Sequence, residues 1–172
     1  MAEHTSSKKR GALDFNEEEQ HFVQKAEQYC VAAEQCATSV RDKMVQWKVE
    51  KELADRIILY LQKKDFINEK RFVKFFCESK LHQQKWGRTK IAYHLRLKQI
   101  SSEVINAGLA TIDEEEYRQV LTGLVANKLR ELTPTEKPER LDAKVTSSLA
   151  TRGFEPHEVQ SILQTLKQQS DN

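Results

Sequence analysis

Glycine and proline are scarce, at 5 and 3 of 172 residues, so the chain has little of the punctuation on which short strands and tight hairpins depend. Sustained alternation of apolar and polar residues is also missing, which leaves helix as the reading from about residue 16 to the end. No stretch nears the roughly 18 consecutive apolar residues of a membrane span, and the chain is expected to stay in water. The N-terminus, Met1-Ala-Glu-His-Thr-Ser-Ser-Lys-Lys-Arg-Gly, has cations with no apolar run behind them. It is expected to be neither a secretion signal nor a transit helix, and residues 1–15 read as a disordered tail. Cysteines number only three, Cys30, Cys36 and Cys77, at spacings that match no zinc or redox pattern. Reduced thiols in a reducing compartment, the cytoplasm, follow as the expectation.

The chemistry-bearing residues are equally sparse. His4, His21, His82, His94 and His157 are scattered, and none pairs with a second ligand type at a spacing that one turn or one helix face could make into a metal site. Gly11, Gly87, Gly108, Gly123 and Gly153 stand singly, so no loop is built to cradle a phosphate. A thiol nucleophile would have to be assembled from Cys77 with His82 or His94, and nothing specific nearby would lower its pKa. The expectation is a binding protein without catalysis, metal or cofactor.

What is present is amphipathic helix. Asn16 can cap a first helix, Glu17, Glu18 and Glu19 set negative charge against its N-terminus, and Phe22, Ala26, Tyr29, Cys30 and Ala33 form its stripe. A shorter helix is expected over Ser39 to Trp47, and a third would bury Leu53, Ile57, Tyr60 and Leu61. The cycle restarts at Asn68, a cap before Phe72, Val73, Phe75 and Phe76, whose aromatic density reads as core, in a helix through about Leu81. After the polar break 82–85, a helix begins near Gly87 with Ile91 and Leu95 inward. Ser101 caps the next, with Val104, Ile105 and Leu109. Asp113 and Glu116 make a capping-box-like start for a long helix with the stripe Tyr117, Leu121, Leu124 and Lys128 with Leu129. Residues 133–138, with two prolines, form a linker. Leu141, Val145 and Leu149 then lead to a stop at Gly153, and Pro156 opens a last helix carrying Val159, Ile162, Leu163 and Leu166. The expected fold is all-α: three tandem three-helix repeats over 16–66, 67–111 and 112–172, forming an elongated array whose units share cores because none buries its faces well alone.

The whole chain carries a net charge of only +2, yet the charge is clustered. From Lys70 to Lys98 nine cations face the single anion Glu78, and Glu103 with Asp113, Glu114, Glu115 and Glu116 follow, so the middle is polarised in sequence and is expected to be so in space. A basic helix with Trp86, Tyr93 and His94 interleaved could meet phosphates, or it could be a solvated face. Tyr93 and Leu97 lie nearly opposite Ile91 and Leu95 on their helix, so that helix is either sandwiched between units or shows an apolar patch to a partner. Shared cores favour the sandwich.

Three stretches resemble the RecX family of bacterial regulators of the RecA recombinase. They are Ser39-Val-Arg-Asp-Lys-Met44, Leu61-Gln-Lys-Lys-Asp-Phe-Ile-Asn-Glu-Lys-Arg-Phe72, and, most specifically, Gly87-Arg-Thr-Lys-Ile91 through Leu95 to Ile100 and Ile105. The resemblance spans about 39–117. It implies a curved array of three three-helix repeats that lodges in the groove of a RecA filament, without catalysis, and limits the filament's assembly and activity in recombination and DNA repair. RecA is the implied partner, single- or double-stranded DNA a further one, and the protein is expected to be a monomer. Lys74, Lys80, Lys85, Arg88, Lys90, Arg96 and Lys98 are the contact candidates. The readings that stay open beside it are a stand-alone DNA-binding protein and a helical adaptor for another protein. Asp65 and Gln99 depart from the family pattern, standing where it usually has glycine between helices, so those two turns are expected to be shaped differently.

Overall fold

The computed structural model describes residues 13–170, and within them every regular element is a helix. In order these are α1 (Glu17–Ala32), α2 (Ala37–Gln46), α3 (Lys51–Lys63), α4 (Glu69–Gln84), α5 (Arg88–Leu97), α6 (Ser102–Leu109), α7 (Glu114–Leu132), α8 (Pro138–Ala150) and α9 (Pro156–Ser170). They form three successive groups of three, and the described residues separate into two compact units that divide between Phe72 and Val73, inside α4.

The first unit packs α1, α2 and α3 against one another. Asn16 and Glu19 close a reciprocal capping box at 2.8 and 2.9 Å, which satisfies two N–H groups that the first turn cannot pair internally. The buried row of α1 is Val23, Ala26 and Cys30, with Phe22 and Tyr29 half-buried at its edge. Ala33 is exposed just past the helix end instead of continuing the stripe. Val40 and Met44 of α2 meet Ala54, Ile57, Ile58 and Leu61 of α3 in the same core. Most of the expected tail lies outside the described residues. Its last part is anchored, since the Asp14 carbonyl accepts from the Arg56 guanidinium at 2.5 Å and the Phe15 ring stands edge-on to Tyr60.

Helices end here by one repeated device. Lys48, Asp65 and Gln99 take left-handed φ of 59°, 59° and 61°, and Gly153 takes 88°. In each case the following N–H reaches five residues back: Val49 to Met44, Phe66 to Leu61, Ile100 to Leu95 and Phe154 to Leu149. That is the Schellman closure, and the apolar residue after the turn packs back on the helix it ends. Asp65 and Gln99 therefore keep the turn geometry that glycine would supply, against the expectation of differently shaped turns. The Asp65 carboxylate is tied down by Asn68 and Arg71, each at 2.9 Å.

In the second unit α5 packs on α6, and α7, α8 and α9 pack on one another. Gly108 lets α6 approach α4 so closely that a Cβ there would stand 2.2 Å from a Val73 methyl. Helix α4 extends into the expected break at 82–85 and stops at Gln84, and Phe75, assigned to the core by aromatic density, is 51% exposed. The inward row of α7 is Tyr117, Leu121 and Val125, so Val125 takes the place expected of Leu124.

Candidate interaction surface

Two elements carry the basic run, α4 with its closing turn and α5. Among their cations, Arg71 and Arg88 are spent on carboxylates inside the fold. Arg71 is spent: its guanidinium reaches Glu34 at 2.5 Å, Asp65 at 2.9 Å and the Asp65 carbonyl at 2.9 Å, clamping the α3–α4 turn to the end of α1.

Arg88, at the start of α5, is spent as well. It pairs with Glu114 at 2.7 Å and Glu158 at 3.4 Å, and its guanidinium carbon lies 3.9 Å from the centroid of the Tyr117 ring. Only 17% of its side chain is exposed. The Tyr117 hydroxyl donates to Glu155 at 2.7 Å and accepts from the Arg88 N–H at 3.3 Å; burial and the Glu155 bond push it far above the ordinary tyrosine range. Beside this network Gly87 and Thr89 donate to the carbonyls of Arg152 and Gly153 at 2.8 and 3.1 Å, so the α8–α9 turn satisfies N–H groups at the beginning of α5. The backbones meet so tightly that a Cβ on Gly87 would stand 2.3 Å from Gly153, and one on Gly153 would stand 2.4 Å from Lys90. Arg88 is thus an internal strut, and the acidic segment after α6 folds back on the basic one: Glu114 on Arg88, and Glu116 within 3.4 Å of His82. The polarity of the sequence is partly closed in space.

The remaining candidates lie on the outer surface of α4 and α5. Lys80 and Lys90 both lean on Trp86, their ammonium groups 5.1 and 4.8 Å from its ring centroid. His94 stacks on the same indole at 4.5 Å with 26° between planes. Burial first, then the positive charges of Lys90, Lys80 and Lys98, lower the His94 pKa below the ordinary histidine value of 6.5. Lys74 and Arg96 are exposed, and half-buried Lys85 closes α4 in a left-handed turn with φ 55°. Tyr93 and Leu97 are 54% and 59% exposed. The sandwich expected for α5 is therefore absent, and its outer side is open. Sequence reasoning missed the Trp86–His94 stack because Trp86 lies in the loop before α5, outside any helical period, and missed the Gly87–Gly153 contact because it joins residues 66 positions apart.

Cys77 is wholly buried, and burial with the nearby Glu78 charge pushes its thiol up to about 11, which holds it protonated and unsuited to nucleophilic attack. No group of three metal-binding side chains gathers among the described residues, and no described helix is long and apolar enough to cross a membrane.

Successive three-helix groups with a cationic, partly aromatic outer face define a helical-repeat protein. Residues 68–109, which hold α4, α5 and α6, match the family model for RecX, second three-helix domain. The chain is similar to the RecX family in sequence and in fold. It is 27% identical over 128 residues to the regulatory protein RecX of Clostridium tetani, covering 74% of this chain and 58% of that one. With the regulatory protein RecX of Streptomyces coelicolor it shares 24% over 126 residues, 73% of this chain and 66% of the other. The chain spans about three fifths of the length of the first clostridial relatives. The fold is that of the crystal structure of RecX from Lactobacillus salivarius, with a TM-score of 0.76 at 19% identity over 87% of this chain and 96% of that one.

Proposed function

We propose that this chain binds the RecA recombinase filament and limits its assembly and activity, and so regulates recombination and DNA repair in the cytoplasm, acting as a monomer. One observation carries the reading: the residues that match the RecX second domain, 68–109, are those that hold the basic face. Lys74, Lys80, Lys85, Lys90, Arg96 and Lys98 supply the positive surface that meets acidic filament surface, DNA phosphate, or both. Arg88 contributes indirectly, by fixing α5 to α7 and α9.

The test is RecA filament formation and ATP turnover on single-stranded DNA, with the purified protein at substoichiometric ratio. Reduced assembly and turnover are expected, together with a weaker effect for Lys90→Glu with Arg96→Glu at unchanged helicity. Unchanged turnover defeats the reading. Tight binding to DNA in the absence of RecA, with a steep loss of affinity as salt rises and no effect on the filament, would mark a stand-alone DNA-binding protein instead.

A further inference from the structure

The outer side of α5 carries a feature that a purely electrostatic face does not need. Tyr93 and Leu97 are one helical turn apart and more than half open, at 54% and 59%. On the helix wheel exposed Arg96 lies along one flank of the pair and Lys90 along the other. The Tyr93 ring stands edge-on to His94 at 5.4 Å, and His94 stacks on Trp86, so the open pair continues into an aromatic surface. An apolar strip bordered by cations on an exposed helix has the composition of an interface centre, in which tyrosine and arginine are over-represented.

The same geometry bears on what the strip receives. A nucleic-acid base seeks a free aromatic face. The Trp86 indole is already taken by the His94 ring and by the ammonium groups of Lys80 and Lys90 at 5.1 and 4.8 Å. What stays open is a ring and a branched aliphatic end a turn apart, a shape suited to an inserted side chain. Charge selects further: among residues 70–98 the only anion is Glu78, so a segment bearing carboxylates is favoured and a basic one is repelled.

We propose that the Tyr93–Leu97 strip of α5 docks a segment of a protein partner in which an apolar side chain is flanked by carboxylates, the apolar side chain seated between Tyr93 and Leu97 and the carboxylates meeting Arg96 and Lys90. The proposal deepens the regulator reading by naming the chemistry of the partner's contact, and rests on that reading for the identity of the partner.

The probe is a synthetic helical peptide with leucines along one side and glutamates on both flanks, titrated into the full chain by fluorescence anisotropy. Tyr93→Ser with Leu97→Ser should weaken binding by about tenfold or more, the scale of losing a hot-spot pair. Arg96→Glu alone should weaken it too, and each variant should keep the wild-type circular dichroism because all three residues face water. Replacing the peptide's leucines with serines should abolish binding. Failure of the peptide to bind wild type, wild-type affinity in the double variant, or displacement of the peptide by an equally charged oligo(dT) overturns the proposal, the last being the behaviour of a nucleic-acid face. The same proteins are then assayed on RecA filaments. Inhibition by the double variant equal to that of wild type overturns the docking proposal and spares the RecA reading. Peptide docking that depends on Tyr93 and Leu97, without any wild-type effect on filaments, supports docking and defeats the RecA reading.

Discussion

Arg88 lies over the ring of Tyr117, its guanidinium carbon 3.9 Å from the ring centroid, and from there reaches one carboxylate on α7 and another on α9. This places the start of the basic helix under the control of the last three helices. Removing the guanidinium leaves Glu158, which is partly buried, without its cation, and strips the Tyr117 face. Because Glu114 is itself largely exposed, that pair is discounted, and Arg88→Ala is expected to cost about 2 kcal/mol. Arg88→Lys should recover only part, since an ammonium cannot span two carboxylates in a fixed fork. Urea midpoints of the three proteins check both statements.

Gly153 and Gln99 sit in the same kind of turn under opposite constraints. At Gly153 a Cβ meets both φ of 88° and the Lys90 backbone nitrogen at 2.4 Å, so Gly153→Ala should destabilise by about 2 kcal/mol or more. Gln99 bears a side chain at φ 61°, and Gln99→Gly should relieve strain worth about 1 kcal/mol, reduced by the greater freedom glycine has when unfolded. Thermal unfolding should move down for the first and slightly up for the second. Asp65→Gly should not share the gain, because it gives up the bonds to Asn68 and Arg71.

His94 gives stability a pH dependence of definite sign. Its folded pKa lies below the ordinary 6.5 because burial and the charges of Lys90, Lys80 and Lys98 oppose protonation. As pH falls through the ordinary value, the unfolded chain takes up a proton that the folded chain refuses, so stability declines until the lower folded pKa is passed and then levels. The slope should be shallower in His94→Gln, measured by urea unfolding across that range.

Cys77 and Cys30 should resist thiol reagents. Burial raises both to about 11, with Glu78 adding to the effect at Cys77 and Glu34 at Cys30. Labelling by a disulfide reagent at mildly alkaline pH should be slow in the native protein and fast in denaturant. Rapid native labelling of Cys77, followed by mass spectrometry, would contradict its placement.

The helices were legible because each is written locally. Asn16 with Glu19, Ser101 and Asp113 each accept from the first turn of their helices as their sequence positions suggest, and Gly153 and Pro156 bracket the last loop. Local rules failed where a second element decides. Val125 displaces Leu124 because the third group's packing selects the inward side of α7, and Phe75 faces out because the buried row of α4 passes through Val73, Cys77 and Leu81. The seven contact candidates were legible as a charge cluster, but the exposure of Tyr93 and Leu97 was not, since a helix with apolar residues on two sides fits a buried and a docking helix equally well.

Composition, periodicity and capping residues by themselves determined an all-helical chain, the order of its helices and the position of its basic segment, because each depends on residues within about one turn of one another. Tertiary structure alone decided that Arg88 is an internal strut, that Trp86 is already covered, and that Tyr93 and Leu97 remain open. Those outcomes depend on the approach of Gly87 to Gly153 and of Arg88 to Glu114 and Glu158, contacts whose energy exists only once distant parts of the chain have met.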